Sequence, residues 1–365
     1  MTFYDLIQLD PNAIRARIQK TDDPKEIRRM RIAVVVRSVL IVLFAILFIS
    51  LMNAWFGAYN SSMAVSIFCV LLAVRFVGYG YNIYDSLLSM AIVFALLVIC
   101  PVAAYNAGFL MKLILYIGSL LIIMILTTQQ PQMGNGGLYT FSFVFLAQNP
   151  VYGQQLLQRA ELAALGFVIC GIVLWRNHRK QFVDVRLKDI WKEVRLSSRK
   201  FQWQQRLALG VGLLLSIFSM THVERFMWIG FACGSLLSDY NVENNVHEKF
   251  KDRLIGAVIG SLAFYLLYQI IPAKFYPFFG PIGGVCLGLC TDYKHKTMLN
   301  CFGALMMAAG MFGLKSAVLM RMGYTLLGII FALAFFYLYD HFLMKGLLKK
   351  GQDPIAQSFE THEAI

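Results

Sequence analysis

Twelve apolar stretches, separated by short polar turns or charged runs, leave this chain little choice of solvent. They cover residues 33–56, 61–78, 86–104, 108–127, 136–148 and 159–175, then 205–221, 226–238, 253–271, 275–291, 299–314 and 320–339. A spanning helix needs about 20 apolar residues. Several stretches reach that length, while 136–148 and 226–238 are short for a full crossing. Of the 365 residues, 58% are hydrophobic and 15% charged, with mean hydropathy +0.62. A soluble domain is nearer half and a quarter. The expectation is an all-α, polytopic integral membrane protein of about twelve transmembrane helices, with no room for a sizeable extramembrane domain.

The net charge of +13 would suggest nucleic acid in a soluble protein. Here the cations flank apolar segments, which points to topology instead. With the N-terminus inside, 25 of the 33 Lys and Arg fall on the inner side. The opposite orientation would reverse that bias, so both termini are expected in the cytoplasm and the protein in the plasma membrane. The organisation follows: a charged N-terminal segment (1–32), a first transmembrane repeat (33–175), a basic cytoplasmic linker (176–204), a second repeat (205–340) and a cytoplasmic tail (341–365). Asp22, Asp23 and Glu26 precede Arg28, Arg29 and Arg31, which suits a short helix lying at the membrane surface. The seven cysteines lie in apolar segments without zinc spacing and read as small buried hydrophobes.

The two halves resemble each other. Each opens with a basic entry to a long helix and continues with a short second span. The third spans open with YDSLLSMAIVF and KDRLIGAVIGS, setting Asp85 opposite Asp252. The sixth and twelfth open with Arg159 and Arg321, each seven residues before a glycine, Gly166 or Gly328. Seven residues are two helical turns, so arginine and glycine share a face. Six spans per half, both starting inside, imply a parallel repeat about the membrane normal. Gly280, Gly284 and Gly288 form one small-residue face and Gly256 with Gly260 another, suited to close helix packing. Pro277 and Pro281 should break or bend the tenth span.

The stretch MWIGFACGSLLSDYNVENNVHEKFKDRLIGAVIGSLAFYLL resembles the FUSC (fusaric acid resistance, aromatic acid exporter) repeat. There a Trp-bearing short span leads through a polar turn to an Arg-x-x-Gly-x-x-x-Gly helix, matched here by Trp228, Arg253, Gly256 and Gly260. RMGYTLLGIIFALAF resembles the closing helix of that repeat through Arg321 and Gly328. The resemblance covers most of 200–340 and, more weakly, 30–175, where Ser86 and Ser89 stand at the positions of Arg253 and Gly256. It implies an exporter of organic acids.

No HExxH, GxSxG or P-loop occurs, so neither an enzyme nor a metal or other cofactor is expected. Ionisable groups at membrane depth are costly and mark function or pairing. Arg159, Arg321, Asn135, Asn300, Arg75 and Trp228 are the substrate-binding candidates. Asn135 and Asn300 open unusually short apolar runs at equivalent points. Glu161, Asp85, Asp239 and Asp252 are the coupling candidates. Arg37, Lys112, Arg225 and Lys315 lie near span ends and read as snorkelling anchors. The leading expectation is ion-gradient-driven efflux of amphipathic or aromatic organic acids. The partners would be membrane lipids and a small organic anion, not nucleic acid, with a homo-oligomer left open. The alternatives are a lipid or cell-envelope precursor translocase and a non-transporting scaffold subunit whose basic linker binds anionic lipid.

Overall fold

The computed structural model describes residues 2–9, 11–221, 223–240 and 246–344, and among these the regular elements are helices, with no strand. Two short helices, α1 (Phe3–Gln8) and α2 (Pro11–Ile18), precede the long α3 (Pro24–Phe56). Next come α4 (Ser61–Val74), α5 (Ile83–Tyr105), α6 (Phe109–Thr127), α7 (Asn135–Ala147) and α8 (Gln154–His178). A single turn and a half, α9 (Leu187–Lys192), lies in the basic linker. The chain continues through α10 (Arg199–Phe218), α11 (Met227–Leu237), α12 (Val246–Ile270), α13 (Phe279–Leu289), α14 (Tyr293–Phe312) and α15 (Leu314–Leu338). Each of the twelve apolar stretches thus holds one helix.

Six helices, α3, α5, α6, α8, α12 and α15, are long and apolar enough to cross a membrane, whereas α4 and α11 are apolar but shorter. Exposed residues of α3 include Leu40, Leu43, Phe44, Leu47 and Trp55. Such a contiguous apolar surface has no place in water and suits lipid. One boundary differs from the sequence expectation. Glu26, Arg28, Arg29 and Arg31 do not form a separate surface helix, because α3 begins at Pro24 and carries Glu26 in its first turn. Proline fits a first helical turn, where its missing N–H has no helical partner to lose. The tenth stretch is broken, as Pro277 requires: a 3-10 segment over Ala273–Phe278 leads into α13. Pro281 falls in the first turn of α13, where it does no harm. Of the tail expected over 341–365, the part from 345 onward lies outside the described residues.

Contacts divide the chain into two units that interleave along the sequence. The first comprises Met1–Leu51 and Asn245–Leu327. Within it α12 and α13 both pack on α14. A Cβ at Gly256 would sit 2.6 Å from the carbonyl oxygen of Lys294, and one at Gly260 would overlap the Met298 backbone. These two glycines therefore set the distance between α12 and α14. The expected Gly280–Gly284–Gly288 face behaves differently along its length. Gly288 lies against Ser38 and Gly284 against Val42, both on α3, whereas the nearest atom to a Cβ at Gly280 is 4.0 Å away. At the N-terminus Leu6, Ile14, Met30 and Ala33 form a small core that folds α1 and α2 back on the start of α3.

The second unit comprises Met52–Asn244 and Gly328–Ile365. The short helix α7 is its centre, touching α4, α5, α6, α10 and α11. Tyr139, Thr140, Ser142, Phe143, Val144 and Leu146 of α7 are buried. Gly230 and Gly234 of α11 lie against Val144 and Thr140 of α7, and Phe231 stacks on Phe141 at 4.9 Å. Gly212 of α10 approaches the Ile117 backbone of α6. The linker is tied to this unit by Asn82 and Asp85: Val185 and Leu187 exchange hydrogen bonds with them across more than 100 residues of sequence.

Candidate functional site

Burying a charge without a partner costs several kcal/mol, so the charges a membrane-spanning fold withdraws from its surface are informative. Among the described residues, the buried charged side chains are Lys112, Arg159, Arg206, Arg253 and Arg321, and no Asp or Glu is buried with them. The interior is therefore cationic.

Arg159, one turn into α8, is fully buried. Its Nε donates to Asn60 Oδ1 at 2.9 Å, Nη1 to the Asn149 carbonyl at 2.6 Å, and Nη2 to the Tyr59 carbonyl at 3.2 Å and Ser62 Oγ at 3.4 Å. Every partner is neutral, and together they pin the turn before α4 and the turn before α8 to one guanidinium. Glu161 does not join it. Two residues further along a helix point to another face, and Glu161 is exposed. Gly166, on the Arg159 face, lies against Ile67 of α4.

Arg321 occupies the corresponding place in α15 with different neighbours. It is 4% exposed, reaches Cys301 of α14, and lies near enough to Arg253 of α12 to feel its charge. Arg253 is 7% exposed, and its buried Nε has no hydrogen-bond partner among the described residues. Thr297, which packs against Gly256 one turn beyond Arg253, likewise has a buried hydroxyl without a partner. Two guanidinium groups and an unused hydroxyl thus gather between α12, α14 and α15 in the first unit. Gly328 of α15 lies against the Ile229 carbonyl and Ala232 of α11, as Gly166 lies against α4.

The remaining candidates scatter. Asn135 opens α7 and is buried, but its Nδ2 donates to the Thr127 carbonyl at 2.8 Å, joining the end of α6 to α7. Asn300 is not its equivalent: α14 starts at Tyr293, which leaves Asn300 inside the helix and exposed. Arg75 caps α4, exposed, with its guanidinium 5.4 Å from the Phe76 ring. Trp228 is buried at the start of α11 beneath Arg225. None of the coupling candidates is buried. Asp85 is half-exposed and accepts hydrogen bonds from Asn82 Nδ2 at 2.7 Å and Leu187 N at 2.9 Å, which makes it a latch on the linker. Asp239 and Asp252 are also half-exposed. Glu161 is exposed, so all four acids keep part of their surface outside the packed interior.

Two further cations, neither of them among the substrate-binding candidates, are buried. Arg206 of α10 lies 4.7 Å over the Phe336 ring of α15, and Lys112 of α6 is 6% exposed. Both stand near span ends, where snorkelling is the default reading, and no local pattern separates an anchor from a charge covered by another loop.

Residues 208–335, roughly a third of the chain, match the family described as fusaric acid resistance protein-like. No curated protein and no solved structure matches. The matched segment runs from α10 into α15 and contains Arg253, Arg321, Cys301 and Thr297 together with Trp228, Gly256 and Gly260, so this part of the multi-pass chain is similar to the fusaric acid resistance protein-like family.

Proposed function

We propose that the protein is a membrane transporter that exports amphipathic or aromatic organic acids, with Arg253 and Arg321 binding the carboxylate. The observation that carries this reading is the sign of the interior: the charges withdrawn from the surface are cations, and two of them, Arg253 and Arg321, lie within electrostatic reach of each other in the family-matched segment. Like charges at close range in a low-dielectric interior raise each other's cost. A carboxylate between them would offset that cost, and the planar guanidinium fork suits it. Phe302, Phe264 and Phe279, which cluster in the same unit, would serve an apolar body.

In this reading all twelve apolar helices traverse or enter the plasma membrane, as two parallel six-helix repeats with both termini and the basic linker in the cytoplasm. The matching Arg-to-Gly spacing, with each glycine on the short second helix of its half, supports the repeat. The chain carries no nucleotide-binding motif, so an ion gradient would drive export. Of the acids considered for coupling, Asp252 is the one adjoining the arginine pair in sequence. The test is accumulation of radiolabelled cinnamate, an aromatic carboxylate, by inverted vesicles containing the protein and by vesicles without it. Protein-dependent accumulation that Arg253→Gln abolishes is the expected result. Equal accumulation with and without the protein would overturn the assignment for this acid class.

A further inference from the structure

We propose that the second unit carries another organic-anion site, built around Lys112 and shaped for an aromatic carboxylate. It goes beyond the transport reading and stands whether or not the chain moves its ligand across a membrane. A cavity of about 400 Å³ opens at the end of this unit where α5 turns into α6, α7 into α8 and α10 towards α11. That volume is within the range of small-molecule sites. Its walls include Tyr105, Lys112, Tyr116, Gln148, Met220 and Phe226.

Three observations converge on an anion. Lys112 is 94% withdrawn from solvent by its 6% exposure, and among the described residues the partner of its ammonium is the Met220 sulfur at 3.6 Å. An ammonium has three donors and a thioether is a weak acceptor, so the charge is left without compensation. Lys112 also stands in the first turn of a 19-residue helix, whose N-terminal end already carries positive potential. Finally, the N-cap there is Gly108, which supplies no side-chain acceptor to the first-turn N–H groups. Cation and helix end both favour negative charge at this end of α6.

The rest of the wall selects what bears that charge. Tyr116 is held edge-on against Phe143 at 6.0 Å, and Tyr105 lies 5.0 Å from Tyr152, so both rings are fixed before a ligand arrives. Phe226 supplies a third aromatic surface. Gln148 turns its Oε1 to the Met227 N–H at 2.7 Å, which presents its NH₂ as the complementary donor. An aromatic carboxylate meets these walls with its acid on Lys112 and its ring against Tyr105, Tyr116 and Phe226. A neutral amide or an aliphatic acid satisfies only half of them.

The experiment uses the purified full chain in detergent with cinnamate, cinnamamide and hexanoate as probes. Lys112 is followed by mass spectrometry during reductive methylation of lysines. Cinnamate should slow modification of Lys112 roughly tenfold or more, with cinnamamide and hexanoate much weaker. Equilibrium dialysis of radiolabelled cinnamate should show Lys112→Met losing one class of site while Arg321→Lys retains it. Equal modification of Lys112 with and without cinnamate overturns the proposal, as does unchanged binding by Lys112→Met. The footprint uses the parent protein, so it decides the question even where a variant fails to fold. Loss of transport in Arg321→Lys with Lys112 still protected would separate this site from the transport assignment.

Discussion

The helices that close the two halves, α8 and α15, carry arginine and glycine at the same spacing and put the glycine in the same kind of place. Their arginines nevertheless do different work. Arg159 is held by four neutral acceptors from two turns, while Arg321 reaches a thiol and feels the charge of a second guanidinium. The residue at the Arg253 position of the first half is Ser86, whose hydroxyl donates to the Tyr81 carbonyl. A shared motif therefore does not imply a shared role. One arginine spends four of its five donors on the fold, and the other has a neighbour that an anion would bridge.

The largest effect should come from removing the arginine held by four acceptors. Arg159→Met leaves Asn60, two carbonyls and Ser62 short of a donor, and each buried orphan costs about 1–3 kcal/mol. We expect a loss of about 3 kcal/mol or more, read as a lower melting temperature in detergent. Arg159→Lys should recover part of it, since an ammonium reaches fewer of the four acceptors. A melting temperature equal to that of the parent would mean that the clasp does not hold the turns.

The glycines give the next contrast. A Cβ at Gly328 meets the Ile229 carbonyl at 2.5 Å, which is backbone and cannot swing away. At Gly166 the obstacle, at 2.6 Å, is the Ile67 side chain, which can change rotamer. Gly328→Ala should cost about 2 kcal/mol and Gly166→Ala about 1 kcal/mol or less, in the range for overpacking. Equal melting temperatures for the two variants would remove the distinction. Gly280→Ala, with open space around it, is the control and should melt like the parent.

Much of this architecture is legible in the sequence because hydropathy and proline act locally. Each apolar stretch holds a helix, and the break at Pro277 is where an imino acid must interrupt a helix. The opposed faces of Arg159 and Glu161 follow from the same helical periodicity that links Arg159 to Gly166. What local patterns do not reveal is which chain segment covers a charge. Lys112 reads as an end anchor until the turn after α10 brings Met220 and Phe226 over it. Asp85 reads as a membrane-depth acid until the linker returns Leu187 to it. Asn300 reads as a helix opening because the polar His295, Lys296 and Thr297 precede it, whereas Asp292 caps α14 two turns earlier.

Asp85 and Asp252, opposite each other in the aligned halves, should also part company. Asp85→Ala removes the acceptor for Leu187 N and Asn82, so about 1 kcal/mol of linker docking should be lost. Limited proteolysis within 181–198 should accelerate in that variant and not in Asp252→Ala. Faster cleavage in both would make the latch non-specific. The smallest effect concerns pH. His295 and the start of α14 hold the Asp292 carboxyl below its ordinary value, through the ring first and the backbone second. A depressed carboxylate contributes stability above its unfolded pKa and loses it as pH falls through the folded one. The pair is exposed, so the effect should stay within a few tenths of a kcal/mol. The melting temperature of the parent should fall slightly more than that of Asp292→Asn as pH drops through the acidic range, and identical slopes would contradict the assignment.

The most direct test of the account sets the two arginines against each other in one assay. Initial rates of cinnamate accumulation in inverted vesicles are measured for the parent, Arg159→Lys and Arg321→Lys at equal folded protein, with melting temperatures taken alongside. The account predicts that Arg321→Lys loses transport by roughly tenfold or more while melting near the parent, because charge is kept and the fork is lost. It predicts the reverse for Arg159→Lys, a lowered melting temperature with near-parental transport per folded molecule. Parental transport by Arg321→Lys, or a selective transport defect in Arg159→Lys, would contradict it.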